Sequence, residues 1–96
     1  MDKTIIITFH GLYMINKEEE IIFDEDGYLI SPIDDIIRKE QILSTVDVTF
    51  STEEELELFT QSVVEAWRNY RKENKKNLDK LSKFDSVVKD IYLLYK

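Results

Sequence analysis

The clearest candidate for chemistry in this sequence is a run of basic residues, interleaved with aromatic residues, between positions 67 and 83. Basic side chains neutralise phosphate groups and aromatic rings stack on bases, so this pattern is typical of nucleic-acid contacts. The candidate contact residues are Trp67, Arg68, Arg71, Lys72, Lys75 and Lys76. The alternative is structural, because bases stabilise helix C-termini and an acidic first half could pair with them, within one chain or between two. The net charge of −7 also argues against nucleic acid as a partner.

Acidic residues cluster in the first two thirds of the chain, where they could attract a basic protein or imitate a phosphate backbone. Residues 1–65 contain sixteen acidic and four basic residues, whereas residues 66–96 contain four acidic and nine basic ones. Turns and helix starts account for many of these acids, so solubility is the alternative explanation. The candidate protein-binding residues in this part are Asp24, Glu25, Asp26, Asp34 and Asp35.

The segment 24–27 superficially resembles a calcium-binding loop, because acids precede a glycine at alternate positions. If Gly27 were the sixth position of such a loop, Ile22 would be the first and Ile33 the twelfth. The two acidic ligands that the loop requires at those positions are therefore missing. The sequence predicts a hairpin turn here, and no metal site.

His10 is the single histidine, and no nucleophile or acid is spaced with it as in a catalytic triad. Neither glycine-rich phosphate loop, G-x-G-x-x-G or G-x-x-x-x-G-K, occurs in the sequence, so nothing predicts a nucleotide cofactor. Cysteine is absent, which excludes disulfides and thiolate metal sites. We therefore expect a protein that is not an enzyme and that holds no cofactor.

The C-terminal residues 91–96 are apolar almost all round a helix, which is more apolar surface than one small sheet face is expected to cover. The core of this protein, a second copy of the chain or a foreign protein could cover the excess. We expect Tyr92 and Tyr95 to contribute to a protein interface, and a homodimer through the C-terminal helix is one form that it could take.

Apolar and polar residues alternate in the first half of the chain with the period of β-strands. The predicted strands cover residues 4–15, 20–23, 28–30 and 45–50. Short polar turns join the first three strands, and each turn is compatible with an antiparallel connection. We expect the four strands to form a small antiparallel β-meander.

Helix-start signals follow at two places. Ser31 and Pro32 are typical of a cap and a first helical position, and they predict a short helix that ends near Gln41. Ser51 and Thr52 each precede a glutamate by three residues, which is the spacing of a capping box and predicts the start of a long helix. The apolar stripe of this helix comprises Leu56, Phe59, Val63, Ala66, Trp67 and Tyr70.

A polar stretch at residues 71–77 interrupts the stripe, which resumes at Leu78. One continuous helix from Thr52 to the end of the sequence would be about 65 Å long and would need a partner along its length. We favour a bend between residues 74 and 77, with Ser82 or Asp85 capping a final helix that folds back on the sheet.

These patterns together predict one α+β domain over residues 1–96, with a sheet-rich acidic part at 1–50 and a helical part with a basic middle at 51–96. No apolar run is long enough for a signal peptide or a membrane span, so we expect a cytoplasmic protein without a membrane partner. The predicted core comprises Ile5, Ile7, Phe9, Ile22, Val46, Val48, Phe50, Phe59, Val63 and Trp67.

The acidity, the abundance of isoleucine and lysine and the lack of catalytic motifs resemble the composition of many small proteins of phages and mobile elements of low-GC bacteria. Some of these proteins inhibit host or defence proteins by binding them. The resemblance is one of composition and assigns no role to a residue. We expect a non-enzymatic protein-binding module that inhibits or modulates a protein partner. The alternative is a protein that binds or imitates nucleic acid.

Overall fold

The computed structural model describes residues 1–31, 33 and 36–95 and shows an α+β protein. Sheet structure fills the first half of this part of the chain and helices fill the second. The strands are β1 (Asp2–Thr8), β2 (Leu12–Asn16), β3 (Ile22–Phe23), β4 (Leu29–Ser31) and β5 (Ile42–Thr49). The helices are α1 (Glu53–Asn74), α2 (Leu78–Leu81) and α3 (Phe84–Leu93), and a 3-10 helix at Lys39–Gln41 precedes β5.

The prediction of one strand over residues 4–15 is wrong, because the chain reverses direction within it. β1 and β2 form an antiparallel hairpin in which Ile7 lies opposite Leu12. The Thr8 backbone N–H donates to the Gly11 carbonyl oxygen at 2.9 Å, and the Thr8 hydroxyl donates to the same oxygen at 2.8 Å. Alternation could not reveal this turn, because the alternation of more and less apolar residues continues through it.

The predicted antiparallel α+β fold is confirmed, although the strands are divided between two sheets instead of following one another in a single meander. β1 is the central strand of a three-stranded sheet, with β2 on one side and β5 on the other, both antiparallel to it. β3 and β4 instead form a separate two-stranded hairpin. β1 has seven residues and β5 has eight, so these two strands form a long ladder. β3 and β4 have two and three residues, and a ladder between β1 and either of them would be shorter.

The predicted helix from Ser31 to Gln41 is replaced, where the structure describes the segment, by extended backbone and the single 3-10 turn. Residues 32, 34 and 35 lie outside the described residues, and so does the predicted helix start at Pro32. The Leu29 N–H donates to the Ile37 carbonyl oxygen at 2.7 Å, and the Lys39 N–H donates to that of Gly27 at 2.8 Å. These bonds pair the segment with the β3–β4 hairpin, which satisfies backbone groups that a helix would have satisfied internally.

The start and the apolar stripe of α1 are as predicted. Thr52 is the N-cap residue, and its hydroxyl oxygen accepts the backbone N–H of Glu55. The stripe contributes Phe59, Val63 and Trp67 to the buried core, while its other members are partly buried against the same cluster. The helix therefore lies against the sheet along most of its length.

The predicted bend is confirmed, since α1 ends at Asn74 and two shorter helices follow. The side chain of Asn77 caps α2 by accepting the Lys80 backbone N–H at 3.2 Å. The predicted cap of the last helix is wrong: Lys83 occupies the N-cap position of α3 without a side-chain bond, and the Ser82 hydroxyl donates to the Asp79 carbonyl oxygen. α3 then packs against α1 and β5.

Both faces of β1 are buried. Ile5 and Ile7 join the helix-side core, which also contains Val46, Val48, Phe50, Phe59, Val63, Trp67, Leu81, Phe84 and Val88. Ile6 points to the opposite face because side chains alternate along a strand, and it is also fully buried. Leu29 and Ile37, in the segment around β4, are buried outside the helix-side cluster, so we place them over this second face. The prediction that Ile22 is a core residue is wrong, since the residue is 43% exposed.

Candidate functional site

A groove of about 520 Å³ lies between the turn that joins β1 to β2 and the second half of α1. His10, Gly11 and Leu12 form one wall of it. The hydrogen bonds between Thr8 and Gly11 fix this turn, and a further bond from the Phe9 N–H to the Gln41 carbonyl oxygen anchors it to the chain before β5. We call this feature the basic groove, and its complete lining is His10, Gly11, Leu12, Val64, Trp67, Arg68, Arg71, Lys72 and Lys75.

Four cationic side chains form the helical wall of the basic groove. They are Arg68, Arg71, Lys72 and Lys75. Their spacing of three, four and seven residues from the first places Arg68, Arg71 and Lys72 on one face of α1, and Lys75, the C-cap residue with helical backbone angles, continues that face. The lining includes no aspartate or glutamate. The groove is therefore a local concentration of positive charge in a protein whose net charge is −7.

The structure does not bear out an internal acidic partner for these bases. Among the described residues, the ion pairs are Lys17–Asp47, Arg38–Glu40 and Lys89–Asp85. None of them involves a cation of the basic groove. Arg71 makes a different contact, with its guanidinium carbon 5.9 Å from the centre of the Phe9 ring. The charges along the groove are thus available to an external anion.

The two aromatic residues of the basic stretch do not offer free stacking faces. Trp67 is 4% exposed, and its ring packs edge-on against Phe84 with the centroids 4.9 Å apart. Its indole N–H is buried and has no hydrogen-bond partner among the described residues. Tyr70 packs on Phe84 as well, and its hydroxyl donates to the Lys80 carbonyl oxygen at 2.6 Å. The predicted contact by Trp67 is therefore limited to the floor of the groove.

Lys76, the remaining predicted nucleic-acid contact, lies beyond the basic groove. It lines a polar hollow at the end of α1, of about 560 Å³, together with Lys72, Lys75 and Lys80 and one acidic residue, Glu73. The hollow continues the positive surface from α1 to α2. The positive surface therefore has the basic groove at one end and Lys80 at the other.

Among the acidic candidates, Asp24 is occupied with local structure. One carboxylate oxygen of Asp24 accepts the backbone N–H groups of Asp26 and Tyr28 at 3.0 and 2.8 Å, which closes the turn between β3 and β4. Gly27 completes this turn with a φ of 84°, a value that glycine adopts without strain. Glu25 and Asp26 are exposed at its tip. Asp34 and Asp35 lie outside the described residues.

The two candidate interface tyrosines are tied into the fold of their own chain. The Tyr92 hydroxyl accepts the Thr49 backbone N–H and donates to the Thr49 carbonyl oxygen, each at 3.0 Å, at the end of β5. The Tyr95 hydroxyl lies 2.9 Å from that of Ser62, and its ring packs against Phe59. Both side chains are therefore anchored in their own chain while remaining partly exposed.

No group of three or more histidine, cysteine or acidic side chains is arranged to hold a metal ion in the part of the chain that the structure describes. Within the same residues, no helix combines the length and the apolar character needed to cross a membrane. The basic groove is thus the feature with the most evident chemistry, and that chemistry is the binding of anions.

His10, Gly11 and Leu12 are the groove residues that the sequence did not indicate. They approach α1 only because the hairpin turn lies beside the helix, which no local pattern reveals. Comparison of the chain with protein-family models, characterised proteins and solved structures yields no significant match. The function is therefore inferred from the geometry of the groove alone.

Proposed function

We propose that this protein binds nucleic acid without catalysing a reaction, with phosphate groups of the strand lying along the basic groove. The observation that supports this proposal is the set of four cations on one helix face, with no acid in the groove and no ion pair to any of them among the described residues. Phosphates are the polyanions that such a row of bases neutralises, with release of counterions.

The spacing of the cations has an energetic consequence. Arg68 and Lys72, and also Arg71 and Lys75, are like charges four residues apart on a helix. Each such pair destabilises a helix by about 0.2–0.5 kcal/mol. The chain has twenty acidic residues, yet among the described residues none of them forms an ion pair with these bases. A bound phosphate would offset the repulsion, which gives the unpaired arrangement a physical role.

The overall charge limits how this interaction can work. Residues 1–65 carry a net charge of −12, so most of the protein repels a polyanion. Binding must then be confined to the basic groove and the hollow beside it, over a few phosphates. We expect moderate affinity that weakens steeply with salt, since each phosphate contact releases counterions.

Neutralising two cations of the basic groove tests this function. The binding of a labelled single-stranded 12-mer can be measured by fluorescence anisotropy. Lys72→Gln/Lys75→Gln should weaken binding about tenfold at low salt. It should also lower the slope of the logarithm of the association constant against the logarithm of the salt concentration by about 1.4 in magnitude. Both lysines are exposed, so the fold should persist. Lys17→Gln/Lys89→Gln, which changes the net charge equally at distant sites, is the matched control and should change binding less than twofold. Equal losses in both variants would contradict the proposal.

Protein binding, at the tip of the β3–β4 hairpin, is a second candidate function. Glu25 and Asp26 are exposed there, and Ile22 and Ile30 are 43% and 61% exposed on the same hairpin. An apolar patch rimmed by acids suits a partner with a basic rim. Inhibition of a host or defence protein is one form that such binding would take. It would appear as contacts at residues 22–30 rather than at the basic groove.

The expected homodimer stays a prediction, and its contact would have to change. Leu93 and Leu94 are 66% and 82% exposed, whereas both tyrosines are engaged internally. A contact between copies would therefore rest on the two leucines. We also propose a cytoplasmic location for either function, because nucleic acid and regulatory protein partners are both accessible there.

A further inference from the structure

A second groove, of about 510 Å³, adjoins the basic groove. His10 lines both of them, so the two grooves border the same residue of the turn between β1 and β2. We call the second space the side groove, and its lining is Phe9, His10, Glu40, Gln41, Leu43, Leu78, Asp79 and Ser82. A chain-like ligand bound in the basic groove would thus have a neighbouring space within reach at His10.

The two grooves differ in the charge of their linings. The basic groove has four arginine or lysine side chains and no acid, whereas the side groove has Glu40 and Asp79 and neither arginine nor lysine. A phosphate in the side groove would face two carboxylates and no compensating cation, which is unfavourable. The backbone of a nucleic acid would therefore be retained in the basic groove and excluded from the side groove.

The side groove offers instead what a base requires. Phe9 and Leu43 are partly buried apolar side chains packed against the core, and Leu78 is 58% exposed at the opposite rim. A base can stack on the aromatic ring of Phe9, while the aliphatic side chains of Leu43 and Leu78 supply further apolar contact. The amide oxygen of Gln41 accepts the Arg38 backbone N–H, so its NH2 group is free to donate, and Glu40 and Asp79 can accept. Donors and acceptors therefore border an apolar contact area.

We propose that the side groove receives one unstacked base of a strand whose phosphates lie in the basic groove, so that the ligand is single-stranded. This inference rests on the proposed function, because the phosphates position the base. In a duplex, the bases are stacked and paired, and none can enter the side groove without being extruded from the helix. The protein therefore discriminates against duplexes in spite of their higher charge density.

Three labelled probes of equal strand length test the proposal by anisotropy: a thymidine 8-mer, an abasic 8-mer with the same phosphates, and an 8-base-pair duplex. The wild-type protein should bind the thymidine 8-mer about fivefold or more tightly than the abasic 8-mer, which is the lower end of the range for stacking one base on an aromatic ring. It should bind the duplex more weakly than the thymidine 8-mer.

Leu78→Ser should reduce the difference between the thymidine and abasic probes, because Leu78 borders the same groove as the Phe9 ring, while leaving the binding of the abasic probe unchanged. Leu78→Met, which keeps an apolar contact, should retain the difference. Leu58→Ser, an equally polar change at a leucine that is 48% exposed on α1, is the matched control, and melting curves check that all three variants fold. Equal binding of the thymidine and abasic probes, tighter binding of the duplex, or an unchanged difference in Leu78→Ser would overturn the proposal. Failure of all three probes to bind would instead contradict the proposed function.

Discussion

Trp67 shows how one residue can fit two patterns and serve only one of them. It belongs to the apolar stripe of α1 and also stands beside the bases of the predicted nucleic-acid contact. Burying a tryptophan removes a large apolar surface from water, and in the structure the side chain is 4% exposed. Helix geometry then directs Arg68 and Arg71 to the neighbouring face. The sequence could predict the basic charges of the site. It could not show that Trp67 packs in the core and leaves no free ring face for a base.

Phe50 carries the residue-scale prediction for stability. It is 3% exposed and contacts Phe59 and Tyr92, with ring centroids 4.9 and 5.3 Å apart. Phe50→Ala should lower the free energy of unfolding by about 3–5 kcal/mol, because it leaves a cavity between the sheet and the helices α1 and α3. That is a large fraction of the total stability of a typical small protein. Urea denaturation measures this loss of unfolding free energy, and Ile30→Ala at an exposed position is the control. Similar losses in the two variants would show that Phe50 is not a core residue.

At the scale of elements, the sequence predicts local signals well and tertiary pairing poorly. The cap at Thr52 and the bend after Asn74 follow from side chains within a few residues of each other. The turn between β1 and β2 has no such signal, because the alternation of more and less apolar residues continues through it. The hydroxyl of Thr8, which the alternation assigns to a strand, bonds to Gly11 within the turn. The position of β5 beside β1 depends on contacts between residues 34 to 47 positions apart. Half of the basic groove depends on that hairpin turn, so only its helical half could be predicted.

The start of α1 allows two candidate caps to be separated by mutation. The Thr52 hydroxyl accepts the Glu55 N–H at 3.2 Å, whereas Ser51 is not the N-cap residue of the helix. Thr52→Ala should therefore destabilise the protein by about 1 kcal/mol, which is typical of losing a capping hydroxyl. Ser51→Ala should change the free energy of unfolding by less than half of that value. A larger effect of Ser51→Ala in chemical denaturation would shift the helix start by one residue.

For the whole molecule, the separation of charge matters more than the net charge. A net charge of −7 alone would argue against nucleic acid, yet the four cations of the basic groove lie together on α1. Nine of the twenty acids occur at residues 18–40, and none of those that the structure describes lines the basic groove. Such a dipolar protein can attract a polyanion to one face and repel it from the other. It would bind a short stretch of strand in one orientation, rather than wrap nucleic acid.

NMR can locate a bound single strand on the protein when the thymidine 8-mer is added to the nitrogen-15-labelled chain at low salt. Backbone amide shifts should change at residues 9–12, 40–43 and 67–82, which include the linings of the two grooves, while those of residues 22–30 stay constant. The changes should disappear at high salt, because the binding is electrostatic. Shift changes centred on the β3–β4 hairpin, or no shift changes at millimolar oligonucleotide, would contradict binding of the strand in the basic groove.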